Sequence, residues 1–208
     1  RRGSIGYLFI AGMGADRFGE TPEEQEAQLH GYLDEALFDL ADTEALLIDV
    51  VLNQGGTDRV SFAIASRFTD QPIDVYTKHV YDAPEATRAL YTIQPASGMP
   101  YTKPVTLLTS SVTLRAAETF TMMMRALPNV THAGEPTRGA LSNVLFKELP
   151  NGWTLRMSNE VYLDVEEQLW EGVGVEPHEQ QPVFSQGLDG HQRAVSALMD
   201  RMPLGSAR

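Results

Sequence analysis

The sequence predicts an α/β domain, and three observations support that class. Residues 45–52 form an almost continuous apolar run, which is typical of a central strand with both faces covered. Residues 105–108 repeat this pattern and lead into apolar residues at helical spacing, which predict a helix over 114–127. Thr21 and Pro22, followed by two glutamates, are typical of a helix N-terminus, so a further helix is expected up to about residue 40.

Shorter patterns predict the remaining elements. These are a strand at 5–10, a helix at 58–68, a strand at 73–81 and a terminal helix at 189–202. Residues 142–149 and 153–158 flank Pro150-Asn-Gly152, which predicts an added β-hairpin. The proline-rich residues 82–103 are expected to form an ordered loop or an insertion over the surface. The run Met122-Met-Met124 is expected to fill the core.

Composition excludes several classes of function. The net charge of -12 argues against a nucleic-acid partner, because such partners are bound through clustered Lys and Arg. The chain has no cysteine, which excludes disulfides, thiolate metal sites and a cysteine nucleophile. The five histidines lack metal-site spacing and are expected at the surface or in turns, so no metal or cofactor is expected. No apolar run is long enough to span a membrane.

Two corners at strand ends are the candidate sites. The glycine corner, Asn53-Gln-Gly55-Gly56, follows a central strand at a helix start, where free amides suit an oxyanion hole or an anion site. A plain glycine turn explains it equally well. The Arg115 corner, residues 110–116, follows the next central strand. Ligand sites of α/β sheets gather at the carboxyl ends of strands, so both corners are expected at one sheet edge.

Taken in order, several motifs resemble one family, the C-terminal processing (tail-specific) serine peptidases, in the branch with the tricorn core and the retinoid-binding protein repeats. Leu47-Ile-Asp-Val-Val-Leu-Asn-Gln-Gly-Gly56 is similar to the family's "LIIDxRxNxGG" and Leu108-Thr-Ser-Ser-Val-Thr-Leu-Arg-Ala-Ala-Glu118 to "LTSxxTxSAAE". Further matches are Gly134-Glu-Pro-Thr-Arg-Gly139, Leu149-Pro-Asn-Gly152 and Glu171-Gly-Val-Gly-Val-Glu-Pro177. Each motif alone is weak, but their order along the chain is specific.

The resemblance implies a Clp-protease-like or crotonase-like fold of repeated ββα units. It also implies a serine that attacks the scissile carbonyl of a peptide or an unfolded protein. By this resemblance Gly55 or Gly56 and the amide of Ala116 hold the oxyanion, and Glu171 is the glutamate of the triad. The tricorn-like branch takes its histidine from upstream of the first strand, and no histidine of this chain lies there.

This sequence departs from the family at two positions. Arg115 stands at the nucleophile position, and Ala140 stands where one branch has its general-base lysine. Arginine has no nucleophilic oxygen and stays protonated at any working pH. The sequence therefore predicts a weak or inactive peptidase.

Four hypotheses are compatible with these residues. Another hydroxyl, from Ser110, Ser111 or Thr113, could serve as nucleophile, although capping is their ordinary role. The domain could be a pseudopeptidase that binds peptides and uses Arg115 as a cation for a carboxylate. Arg115 could be an introduced change in an active enzyme. Acyl-CoA chemistry on the same fold is the last alternative, and no basic cluster for its phosphates is evident.

Residues 1–208 are interpreted as one peptidase-like core domain, with residues 1–44 a candidate subdomain. The resemblance leaves open an upstream domain before Arg1 and a homo-oligomer. It suggests an exported or periplasmic protein, for which the sequence has no test of its own.

Overall fold

A computed structural model describes residues 1–14, 19–184, 187 and 189–202. Its helices are α1 (Pro22–Asp39), α2 (Asp58–Ala65), α3 (Pro84–Thr87), α4 (Ala116–Arg125) and α5 (Gly190–Arg201). Its strands are β1 (Ile5–Phe9), β2 (Ala45–Asp49), β3 (Ile73–Val80), β4 (Ala89–Ile93), β5 (Val105–Thr109), β6 (Val130–Gly134), β7 (Val144–Glu148), β8 (Thr154–Ser158), β9 (Glu160–Asp164) and β10 (Glu179–Gln180). The predicted α/β class and the added hairpin are confirmed.

A five-stranded sheet in the order β1-β2-β5-β6-β10 forms the centre of the molecule, and all its strands are parallel. Side chains of β2 alternate between two layers. Leu46 and Ile48 pack with α2 and α4, whereas Ala45 and Leu47 pack with α5. Because both faces are covered, the strand sequence is continuously apolar. The first strand, β1, belongs to this same sheet, paired with β2 from Ile5↔Ala45 to Phe9↔Asp49.

Helix α4 is buried along almost its whole length. Met122, Met123 and Met124 are all inaccessible or nearly so, which confirms that this run fills the core. Helix α1 begins as expected: Thr21 accepts a hydrogen bond from the Glu24 amide, and the Glu24 carboxylate accepts one from the Thr21 amide. This capping box explains why the start of α1 could be read from sequence.

Of the two alternatives predicted for 82–103, the loop is wrong. This segment contains α3 and β4, and β4 pairs antiparallel with β3 in a second sheet of order β4-β3-β9. Tyr91 of β4 stacks on Tyr76 of β3, with ring centroids 4.7 Å apart. Prolines at both ends of a five-residue strand hide the strand signal. Strands β6, β9 and β10 also had no predicted counterpart.

The predicted hairpin is present as the antiparallel pair β7–β8, and every residue of both strands is exposed. The expectation that all histidines lie at the surface or in turns is wrong for His132, which is fully buried in β6. Among the described helices, none is long and apolar enough to cross a membrane.

Candidate functional site

Both corners lie at the same edge of the central sheet, as predicted. The carboxyl ends of β2 and β5 are adjacent because these strands are parallel neighbours. Three hydrogen bonds join the segments just beyond these two strand ends. Leu114 N–H donates to Asn53 O at 3.1 Å, Ser110 Oγ donates to Val51 O at 2.7 Å, and Thr113 Oγ donates to Val50 O at 2.9 Å.

Arg115 is the N-cap of α4 and has an unusual backbone conformation, with φ 59° and ψ -127°. A non-glycine residue at positive φ is strained, by about 1–3 kcal/mol, and persists where its surroundings hold it. Here the Arg115 amide donates to the Glu118 carboxylate at 2.9 Å. The corner is therefore a sharp turn that lifts the side chain of residue 115 out of the sheet edge.

Glu118 connects this corner to the loop at 137–140. Its carboxylate is fully buried and accepts hydrogen bonds from the Arg115, Gly139 and Ala140 amides and from Thr137 Oγ, at 2.6–2.9 Å. Four donors satisfy the charge of a buried carboxylate without an adjacent cation. The loop thus sits directly against the Arg115 corner.

The glycine corner also contacts the Arg115 corner. A β-carbon at Gly55 would lie 2.7 Å from Arg115 Cβ and 2.9 Å from the Ala116 nitrogen, so the backbone can approach this closely only as glycine. The Gly55 amide donates to Asn53 Oδ1 at 2.9 Å and is therefore occupied. Among the described residues, the Gly56 and Ala116 amides have no hydrogen-bond partner. Both amides are therefore available to a ligand.

A groove of about 870 Å³ opens in front of these amides. Its lining comes from the two corners, from the segment 141–143 and from the hairpin: Gly56, Thr57, Asp58, Arg115, Ala116, Leu141, Ser142, Asn143, Val144, Phe146, Arg156, Met157 and Ser158. The hairpin wall was not predicted as part of a site. The turn motif at 149–152 predicted the hairpin but not its place in the site, and strand alternation puts Val144 and Phe146 on one face.

The charges of the groove are mainly positive. Arg115 is exposed, and among the described residues its guanidinium has neither a hydrogen bond nor an ion pair. Arg156 is likewise unpaired and lies over the Phe146 ring, 5.1 Å from its centroid. Asp58 is the one acid of the described lining, and its Oδ1 accepts a hydrogen bond from Thr119 Oγ at 2.9 Å. The groove is therefore suited to an anion.

Glu171 lies behind the groove and is not part of its lining. Its Oε2 accepts hydrogen bonds from the Leu141 amide at 2.7 Å and the Ser142 amide at 2.9 Å. Since both residues line the groove, Glu171 holds this part of the groove wall in place. Ala140, at the lysine position of the motif, contributes no titratable group.

The hydroxyls considered as substitute nucleophiles lie outside the groove lining. Ser110 and Thr113 are fully buried, and their hydroxyls tie the turn to the end of β2. Ser142 does line the groove, a position that no sequence pattern indicated. Its Oγ donates to Asn143 O and accepts from the Glu160 amide, each at 3.1 Å. No basic side chain contacts it within the described chain.

A second cavity, of about 400 Å³, lies between α1, α2 and β4 and contains none of the residues of the two corners. Within the described ranges, no cluster of three or more His, Asp or Glu side chains is arranged to hold a metal ion.

Known proteins resemble this chain in both sequence and fold. A family model described as Peptidase family S41 matches residues 4–181. A putative peptidase from Parabacteroides merdae is 25% identical with a TM-score of 0.76, over 99% of this chain and 64% of that one. Mature CPAF is 18% identical with a TM-score of 0.73, over 95% of this chain and 50% of its own.

The photosystem II D1 C-terminal processing protease is 18% identical with a TM-score of 0.64, over 85% of this chain and 42% of its own. The chain therefore spans less than two thirds of the length of these solved structures. Because the family model covers most of its residues, from 4 to 181, the chain belongs to peptidase family S41.

Proposed function

We propose that this domain binds peptides in its groove without hydrolysing them, and that Arg115 receives the C-terminal carboxylate or an acidic side chain. One observation carries this proposal. The residue at the nucleophile position of the motif is an exposed arginine whose guanidinium is unpaired among the described residues and points to an anion as its partner.

The residue at the nucleophile position has no attacking atom, which supports the non-hydrolytic part. The hydroxyls of Ser110 and Thr113 donate to backbone carbonyls, and Ala140 cannot act as a base. Loss of a nucleophile typically lowers turnover by several orders of magnitude and leaves only what binding and oxyanion donors supply.

The free amides of Gly56 and Ala116 support the assignment of a carboxylate as the ligand group. Ala116 is the first residue of α4, where an N–H without a helical partner and the helix dipole both favour negative charge. The Gly56 amide lines the same groove. Donors that would hold an oxyanion in a peptidase can hold carboxylate oxygens here, beside the Arg115 guanidinium.

The family relationship supports a peptide as the ligand. The photosystem II protein is described as a C-terminal processing protease, and we extend this substrate class to the present groove as a proposal. Gly55 and Gly56 shape the glycine corner. Glu171 holds the part of the groove wall formed by Leu141 and Ser142. We also interpret residues 1–208 as a single peptidase-like unit of Clp-protease-like or crotonase-like fold, consistent with β1 belonging to the central sheet. An exported or periplasmic location remains a proposal from resemblance.

Hydrolysis and binding are tested together with three proteins: the unchanged chain, Arg115→Ser and Arg115→Ala. Unstructured peptides with a free C-terminus are the substrates, and fluorescein-labelled peptides with free or amidated C-termini are the binding probes. We expect no turnover by the unchanged protein and binding that both amidation and Arg115→Ala weaken.

The serine variant separates the alternatives. Turnover that appears in Arg115→Ser shows that the rest of the peptidase machinery is retained. Equal turnover by the unchanged protein and the Arg115→Ser variant would place the nucleophile elsewhere and contradict the proposal. Binding that is indifferent to both amidation and Arg115→Ala would also contradict it.

A further inference from the structure

Two guanidinium groups that have no partner among the described residues face the same groove from different elements. Arg115 projects from the start of α4, and Arg156 projects from β8 of the hairpin. The proposed function uses the first and leaves the second without a role. Two like charges on one groove repel each other unless a ligand neutralises them, which makes the second arginine informative about that ligand.

Arg156 is held in place by its cross-strand neighbour. Arg156 and Phe146 are directly paired in the β7–β8 register, and the guanidinium lies 5.1 Å from the ring centroid. Stacking on a ring restrains an arginine while leaving the N–H groups at its edge free to bind a carboxylate. Glu148 lies on the same hairpin face but pairs with Thr154, and no ion pair joins it to Arg156 among the described residues.

The charge of the groove contrasts with that of the whole chain. The chain carries a net charge of -12, whereas the described groove lining has two arginines and a single acid, Asp58, which is hydrogen-bonded to Thr119. Apolar side chains from Leu141, Val144, Phe146 and Met157 complete the walls. A peptide that carries both apolar and acidic residues is complementary to this combination.

We propose that Arg156 and Phe146 form a second anion subsite, which recognises an acidic side chain of the peptide whose C-terminal carboxylate Arg115 holds. This inference rests on the proposed function and assigns its ligand class: acidic peptides with a free C-terminus. The hairpin is thus a specificity element. In an extended peptide each position before the terminus adds about 3.3 Å to the distance from the C-terminal carboxylate, so the preferred position of the acidic residue reports the separation of the two subsites.

The test is a double-mutant cycle in which one change is made in the protein and the other in the peptide. Peptides with a free C-terminus carry Glu or Gln at each of the last several positions and are titrated against the unchanged protein and Arg156→Gln. We expect one position at which Glu binds about fivefold more tightly than Gln, since an exposed ion pair contributes up to about 1 kcal/mol. Arg156→Gln is expected to abolish this preference, so that the Glu and Gln peptides bind the variant equally.

Lys147→Gln is the matched control. Lys147 belongs to the same hairpin but, by strand alternation, to its opposite face, and it is paired with Leu155. Its loss changes the net charge equally but should leave the Glu preference intact. Arg156→Lys keeps the charge without the planar fork and should retain part of the preference, which keeps the test valid if the glutamine variant folds poorly.

The outcomes separate the two proposals. Binding that depends on the free C-terminus but shows no Glu preference, or a preference that Lys147→Gln removes as well, overturns the second subsite and leaves the proposed function standing. Absence of any peptide binding overturns both. A single-stranded oligonucleotide that binds as tightly as the acidic peptide overturns the assigned ligand class. Analytical ultracentrifugation measures self-association. If self-association covers the groove, the ligand of the groove is a second copy of this chain, and the assigned ligand class is overturned.

Discussion

Arg115 combines a long cationic side chain with a backbone conformation that glycine would adopt more readily. Its φ of 59° and ψ of -127° are maintained by the Glu118 carboxylate on its own amide and by the packing of Gly55 against it. Such conformations cluster at functional sites, where a side chain must project from a tight corner. Position 115 keeps this strained backbone conformation although its side chain carries no hydroxyl group.

Arg115→Gly is expected to stabilise the protein. Relief of about 1–3 kcal/mol of backbone strain exceeds the entropic disadvantage of glycine, which is about 0.5–1 kcal/mol, so the free energy of unfolding should rise by about 1 kcal/mol. Urea denaturation measures it. Arg115→Ala is the control, because it removes the charge and keeps the β-carbon, so its free energy of unfolding should change little. Equal free energies for the two variants would show that the strain is not stored at this residue.

Glu118→Gln is expected to destabilise the fold. The buried carboxylate accepts four hydrogen bonds, and an amide group would direct its own N–H atoms at backbone N–H donors. The loss should be about 3 kcal/mol, because hydrogen bonds to a charged group are strong and unpaired buried donors are unfavourable. Glu35→Gln, at an exposed position in the middle of α1, should change stability by less than about 0.5 kcal/mol. Thermal unfolding measures both variants. Similar thermal midpoints would contradict the role of Glu118 in holding the Arg115 corner against the loop at 137–140.

At the scale of elements, one buried histidine links β5, β6 and α4. His132 Nε2 lies 2.7 Å from Thr109 Oγ, and Arg125 donates to its Nδ1 at 3.3 Å. Thr109 Oγ in turn donates to Glu135 O at 2.8 Å. Burial, the Arg125 charge and the nearby His178 hold the pKa of His132 well below its ordinary value. The ring is therefore neutral, with its proton on Nε2.

This neutrality predicts an acid-sensitive fold. In the unfolded chain His132 binds a proton as the pH falls through about 6.5, whereas the folded protein resists it, so the free energy of unfolding decreases with falling pH. The decrease attributable to this residue should be about 1 kcal/mol between pH 6.5 and 5.5, because the unfolded chain is already half protonated at the upper pH. Urea denaturation of the unchanged protein and His132→Gln at both pH values measures it, since carboxylate titrations cancel in the comparison. An equal pH dependence in the two proteins would contradict the prediction.

The elements that could be predicted are those whose own sequence determines their burial. The central strands β2 and β5 are buried on both faces and read as apolar runs, and α1 is marked by its capping box. Strand β4 could not be predicted because prolines near both its ends hide the strand signal and because part of its packing comes from Phe62, which is distant in sequence. The sequence around His132 did not indicate a buried neutral histidine. That state depends on contacts with Arg125 and Thr109, which form only in the folded protein.

At the scale of the whole molecule, the order of the motifs indicated which loops come together. The loops at 53–56, 110–116, 137–140 and 171–175 meet at one sheet edge, and the Gly172 amide donates to Gly139 O at 2.8 Å. What sequence could not show is which amides remain free. Asn53 occupies the Gly55 amide, so Gly56 is left as the donor. The hairpin wall was missed because its place over the groove depends on tertiary structure.

Stability is distributed unevenly over the molecule. The central strands are inaccessible on both faces, whereas the hairpin is a two-stranded sheet whose residues are all exposed, including Phe146 at 60% and, in its turn, Trp153 at 72%. An isolated pair of strands is marginally stable in water, and its hydrogen bonds open locally without global unfolding.

Amide hydrogen exchange should therefore separate the two regions. We expect the amides that pair β7 with β8 to exchange at least about a hundredfold faster than those of Ala45–Asp49 and Val105–Thr109, which open only with the whole fold. Mass spectrometry of the free protein at several concentrations measures this difference, and the central strands are the internal control. Equal protection of the hairpin at low concentration would contradict it. Protection that appears only at high concentration would instead show that a second copy covers the exposed apolar residues, because an effect of the monomer alone is independent of concentration.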